Sequence, residues 1–464
     1  MRSKNIFGAG ICLCGVLWAQ ITLQAAVVTY PAPASETLSS EYEVVAEGKK
    51  VDVCTARVLD PPFAGKQWDF GGPYAFANFD MAGRVTVEVR AKRSLRNTVV
   101  RPDYPDVRLR VVDEHTVAIA FGAPRKISIE PDGRKRPLLL FANPMEQEAP
   151  KAGSPGLIYF GPGLHQPGKV EVGDNQTVYL AGGAVVKGAI VAHGSNIRIL
   201  GRGILDGSDY EWRKGPYNFT VGITRTNVEV SGITIRGSSH WTIVPYASRD
   251  VTVRNVKLCG ARVQNDDGIN PCNSQNVLIT DCFIRTDDDC IAMKGLDLRR
   301  PNSNVENIVV ENCTLWCDRA RIFLLGHESR AAFMRNITLR NLEIIHYAMT
   351  PFLLEPGEEM RLEDVRIENV RIYGEGQREL ARLKPVVNQY MQNKVPGHVR
   401  RVHFKDVEVY GAPGACLVQL EGADAQHRVQ DVSLEKVKVL GQELTADSPN
   451  MKVGQQVEGV RFVP

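Results

Sequence analysis

Two acidic clusters, Asn265-Asp266-Asp267-Gly268 and Asp287-Asp288-Asp289-Cys290, place Asp267 and Asp289 22 residues apart. Carboxyl groups that converge on one groove can cleave a glycosidic bond: one protonates the leaving oxygen while another activates water or attacks the sugar. Bringing like charges together costs energy and pushes at least one carboxyl above its usual range. A ladder of solvated turn carboxylates or a calcium site would use the same residue types for a non-catalytic end.

Such convergence needs a scaffold that stacks residues some two dozen positions apart, and the chain has one. A phrase of Asn or Asp followed by alternating apolar residues, a bend and a second apolar run begins at Asn196, Asn227, Asp250, Asn276, Asn307, Asn336, Asp364, Arg401 and Asp431, at intervals of 23 to 37 residues. Two-residue alternation reads as strand, and a repeat of this size reads as a solenoid. The repeat lacks a helical period and the fixed leucines of leucine-rich repeats, so a right-handed parallel β-helix is expected over 156–464. Matching VKLCG to CFIRT sets Asp267 on Asp289 and Asp266 on Asp288, on strands about 4.8 Å apart. The longest interval, between Asp364 and Arg401, has helical composition in its middle and is expected to cap or wall a cleft.

Residues 27–155 differ in texture. Runs such as RVTVEVRA and DVRLRVVDEHTVAIAFG between Pro and Gly clusters predict an antiparallel β-sandwich. It either binds carbohydrate or covers the open N-terminal end of the solenoid, whose strand edges would otherwise be unpaired. Residues 1–26 read as a signal peptide, with Arg2 and Lys4 before an apolar run and small residues at Ala25 and Ala26. A secreted or periplasmic protein without a membrane span in the mature chain follows, and Cys12 and Cys14 leave lipid attachment open. The balance of 56 basic and 53 acidic residues, net +3, gives no support to a nucleic-acid partner. Six of the ten cysteines fall between positions 259 and 317 at the spacing of the repeat. Buried thiols stacked between rungs and disulfides are both compatible with that spacing, whereas no paired zinc knuckle is present.

Asn265-Asp266-Asp267-Gly268-Ile269, followed one coil later by Asp288-Asp289-Cys290-Ile291-Ala292, resembles the paired motifs of the polygalacturonases, family 28 of the glycoside hydrolases. It resembles more loosely the dextranases and isopullulanases of family 49, whose upstream β-sandwich it shares. The resemblance implies that Asp288 is the general acid and that Asp267 and Asp289 deprotonate the attacking water, a single displacement with inversion. Asn265, first in the motif, would orient its neighbour. It implies no cofactor and a polysaccharide or oligosaccharide partner.

The sequence departs from the family at two places. Where the polygalacturonases carry Gly-His-Gly, the alignment sets Arg321, with His327 six residues later, so both are candidates for substrate contact. The Arg-Ile-Lys motif that holds a galacturonate carboxylate has no counterpart in TPFLLEPGEE, where Glu355 stands instead. A neutral sugar or a substituted, rhamnogalacturonan-like glycan is therefore expected over plain polygalacturonate. Trp241, one coil before Asp267, offers a face for a pyranose ring, and Lys294, ending the strand after the second cluster, is a subsite candidate. His346 and Tyr347 are weaker candidates of the same kind. Two other classes stay open: a polysaccharide lyase using calcium and an arginine base such as Arg321, and a glycan-binding β-helix without chemistry.

Overall fold

The structure, a computed structural model, describes residues 25–59, 71–147, 149–296 and 303–464. The expected signal peptide lies outside them except for its last two residues. The described residues form strands, bends and turns, and no helix among them is long and apolar enough to cross a membrane.

The expected all-β architecture is present. From Leu157 onward the chain winds as a right-handed parallel β-helix, each strand pairing with its equivalents on the turns before and after. The core is a set of columns. Val228, Val251, Val277, Ile308, Ile337, Val365, Val402 and Val432 stand in one register, one per rung, and all are buried. Burying each such side chain contributes about 1.5–3 kcal/mol, so the columns drive the winding. Every phrase start adopts a left-handed backbone, with φ between 54° and 58° from Asn196 to Asp431. Asn and Asp tolerate that conformation better than other non-glycine residues, which explains their recurrence there. Their side chains also bond up the stack: the Asn227 amide donates to Asn196 at 2.9 Å, Asn307 to Asn276 at 2.9 Å and Asn336 to Asn307 at 3.1 Å. Asn175, at φ 59°, begins an earlier rung of the same kind and receives the Asn196 amide at 2.9 Å.

Residues 26–144 make two sheets, of six and five strands, with Val44, Phe79, Val87, Ile119 and Leu140 packed between them. Pairing is antiparallel except where Leu138–Pro144 runs parallel to Gly72–Ala82. This unit packs along the side of the solenoid, its Tyr74, Phe76, Leu139 and Phe141 against Cys259, Phe283 and Trp316 of successive rungs. Phe141 meets Phe283 at 5.2 Å between ring centroids, and the Tyr74 hydroxyl donates to the Gly260 carbonyl at 2.9 Å.

Two expectations are corrected. The long interval forms no helix; Glu379–Leu383 is a strand in register with Phe352–Leu354 and Leu417–Leu420, because sheet pairing overrides its helical composition. Its later part packs beside His327, where the Asn388 amide donates to the His327 carbonyl at 2.6 Å. All eight described cysteines are free and buried, which favours the stacked thiols over disulfides.

Candidate active site

The acidic clusters sit on turns joining the sandwich-facing sheet to a second sheet built from short strands, among them Ile291–Met293, Phe323–Leu325 and Phe352–Leu354. Register around the turns is set by single bridges, Ile243 to Ile269 and Ile269 to Ile291, then by Ile291 pairing with Phe323. Counting back two residues stacks Trp241, Asp267, Asp289 and Arg321 on four successive rungs.

The three adjacent aspartates meet three surroundings. Asp287 turns toward the sandwich and pairs with Arg319, which itself donates to the Leu59 carbonyl at 2.8 Å. Asp288 is half-exposed and accepts the Asn265 amide at 3.0 Å. Asp289 is 3 % exposed and accepts the Arg321 backbone N–H at 3.1 Å, with the Arg321 guanidinium 3.6 Å away. Asp267, 2 % exposed, accepts the Asn270 amide at 2.8 Å and faces Lys294 at 3.4 Å. Asp266 does not share the groove with Asp288. It stands opposite Asp288 in register, but its carboxylate is fully buried and accepts the backbone N–H groups of Ala261 and Asp287, the latter at 2.7 Å.

Burial and crowding shift these groups. Burial, with Asp288 adding to it against Lys294, pushes Asp267 up to about 6. Burial and the charge of Asp288 push Asp289 up to about 8 against the pull of Arg321. At neutral pH the cluster therefore retains a proton that isolated carboxylates would have lost. Arg321 stays charged: burial opposes this, but Asp289, Asp288 and Glu355 outweigh it. Its Nε finds no hydrogen-bond partner among the described residues.

The remaining expected residues gather at the same face. Lys294 is buried, 4.0 Å from the Trp241 ring and 3.2 Å from Glu328, so it is not a solvated strand end. Trp241 is half-buried outside the core, stacked parallel to Phe219 at 5.9 Å. His327 and Glu355 are hydrogen-bonded at 2.7 Å, and Arg382 meets Glu355 at 2.7 Å. Glu355 is buried and spoken for; burial pushes it up, but His327 and Arg382 bring it below the usual range. His346 and Tyr347 lie elsewhere, His346 between Glu130 and Glu375 under the sandwich and Tyr347 in the core.

Other neighbours went unread in the sequence. Arg213, from the exposed turn before Val221–Ile223, reaches Asn265 at 3.3 Å. His240 lies on Trp241 with rings 7° from parallel, its Nδ1 3.2 Å from the Asn218 carbonyl, and burial lowers its proton affinity. A cavity of about 340 Å3 opens beside Arg321, walled by Met349, Gln377, Arg378 and Arg382. Only Asn270 had a local signal, three residues after Asp267 on the turn that returns to the strand. Arg213 comes from a turn outside the repeated phrase, and Arg382 stands on a rung position where its neighbours carry Leu353 and Gln419, so the column does not announce it.

Comparison with known proteins points the same way. Residues 186–316 match the family described as Glycosyl hydrolases family 28. A probable polygalacturonase of Vitis vinifera is 30% identical over 109 residues, 22% of each chain. An isopullulanase of Aspergillus niger is 26% identical over 280 residues, 50% of this chain and 48% of that one. The chain thus spans less than half the length of these curated relatives. Among solved structures, Dex49A from Penicillium minioluteum superposes with a TM-score of 0.65 at 16% identity, covering 94% of this chain and 96% of that one, a likeness of fold that includes the upstream unit. The chain is polygalacturonase-like, its likeness to the family 28 glycosyl hydrolases concentrated in residues 186–316, the rungs that carry Asp267, Asp288 and Asp289, and it lacks the Arg-Ile-Lys motif.

Proposed function

We propose that this protein is an exported glycoside hydrolase that cleaves a plant or marine polysaccharide, or an oligosaccharide derived from one, by single displacement with inversion. The observation that carries this reading is the stacking of Asp267 and Asp289 on adjacent rungs, both buried and both raised, with the half-exposed Asp288 beside them. Asp288 is the general acid, steadied by Asn265. Asp267 and Asp289 hold the attacking water and remove its proton, and Lys294 and Arg321 keep the pair from retaining too much of the shared proton charge. Trp241 and Phe219 give a ring face to a sugar, and Arg321 offers its unpartnered Nε–H to a substrate oxygen.

The substrate is a pectin-like or related glycan. Glu355 is tied to His327 and Arg382, so it is poorly placed to bind hydroxyls. Arg321, Arg378 and Arg382 around the adjoining cavity supply cations from positions unlike those of the missing motif, which suits a substituted acidic chain as well as a neutral one. Arginine held charged by two aspartates makes a poor base, and this counts against elimination by Arg321. The test is a panel of plant and marine glycans offered to purified protein, with and without chelator. Reducing ends without an ultraviolet-absorbing product, undiminished by chelator, are expected; an unsaturated product lost with chelator would replace this reading by a lyase.

A further inference from the structure

A second cluster stands apart from the carboxylates. Glu359, His398 and His427 bring side-chain ligand atoms within 4.8 Å of one another. Each stands at the start of a different strand, Glu359 and His427 two residues before Arg361–Glu375 and Val429–Val439 and His398 as the first residue of His398–Ala412, and these strands pair in succession, so three consecutive rungs contribute one residue each at one corner. His398 Nε2 lies 3.1 Å from one Glu359 oxygen and His427 Nε2 3.4 Å from the other. Ligands of a tetrahedral ion bound at about 2.0–2.1 Å stand roughly 3.3 Å apart, so little movement would admit one.

The surroundings fit a metal better than a chance ion pair. His427 Nδ1 faces the Asp424 carboxylate at 2.8 Å, the second partner that fixes a ligating imidazole and leaves Nε2 for the ion. Glu358 and Glu359 hold consecutive left-handed conformations, φ 51° and 63°, with their N–H groups donated to Val395 and Pro396 at 2.7 and 3.0 Å. Such strain in two glutamates needs a surrounding that fixes it. Two imidazoles and a carboxylate suit a zinc-like ion over calcium or magnesium, and the exposed side of Glu359 leaves room for water as a fourth ligand.

We propose that Glu359, His398 and His427 bind a divalent transition ion of the zinc class, oriented by Asp424, which staples three rungs and the turn that follows Glu355. Binding displaces any proton on the two Nε2 atoms to solvent. The role is structural, separate from hydrolysis.

The test uses the exported chain, stripped with chelator and titrated with ZnCl2, with bound metal counted by elemental analysis after dialysis. One zinc per chain and a higher Tm are expected, along with a visible band of four-coordinate Co2+ when cobalt replaces zinc. His398→Ala, on the more exposed side, loses the zinc while keeping its fold and hydrolysis, and Asp424→Asn still binds but about 10–100-fold more weakly. Wild-type protein that retains no zinc overturns the proposal. So does His398→Ala retaining as much zinc as wild type, which would move the metal to the thiols.

Discussion

Asp289 and Asp318 are buried to a similar depth on neighbouring rungs, yet their surroundings drive them in opposite directions. Burial raises both. At Asp318, Arg285 and Arg134 outweigh it, with Arg285 Nε at 2.9 Å, Arg134 at 3.3 Å and the Trp316 indole N–H at 2.9 Å, and the carboxyl falls below its usual range. At Asp289 one arginine at 3.6 Å faces the added charge of Asp288, and the carboxyl rises to about 8. The sandwich interface thus supplies its carboxylate with donors, whereas the candidate site leaves its own undersupplied. An undersupplied carboxylate is costly to the fold and useful for moving protons.

Substitutions can break that contrast. The largest effect is expected from Asp288→Asn, which should lower kcat by about 10²–10⁴-fold, the usual share of general acid catalysis, with Tm nearly unchanged. Reducing-sugar release and thermal denaturation of the same preparation check both halves. Next is Asp318→Ala, which strands the buried Arg285 without its anion, leaves Arg134 to Glu375, and should cost about 3–5 kcal/mol by chemical denaturation. Residual folded protein should keep its kcat. Because the Asp318 pKa is lowered on folding, its stabilisation is present above the ordinary value of 3.8 and fades as pH falls through the folded value.

The smaller and more diagnostic effect has the opposite sign. A raised pKa means that Asp289 contributes to stability below 3.8, as the neutral acid, and loses that contribution as pH rises through about 8. Asp289→Asn should therefore abolish hydrolysis yet raise Tm, by more at pH 8 than at pH 4. Tm measured across that range decides it: an Asn variant that is less stable at pH 8 would show Asp289 to be as well supplied as Asp318.

Much of the scaffold could be read in advance because it repeats. Asn at left-handed corners and Val or Ile in columns are demanded on every rung, so nine copies announced the winding and the register of Asp267 on Asp289. The contribution of the sandwich was harder to see. Its docking face uses ordinary apolar residues such as Phe76 and Leu139, and nothing local says whether they meet a solenoid's end or its side. Lys294, Glu355 and His327 were found as positions, while their pairings with Glu328, Arg382 and each other were not, because those contacts are made only by folding. The interval after Asp364 misled by composition, since a strand former is not required where neighbouring rungs impose pairing.

The central claim is that the stacked aspartates perform one displacement on a sugar. Proton NMR of the first product released, recorded before mutarotation, tests it most directly. The account predicts a product of inverted anomeric configuration, released about 10²–10⁴-fold more slowly by Asp288→Asn. A retained configuration, or the same product at an undiminished rate from that variant, would contradict it.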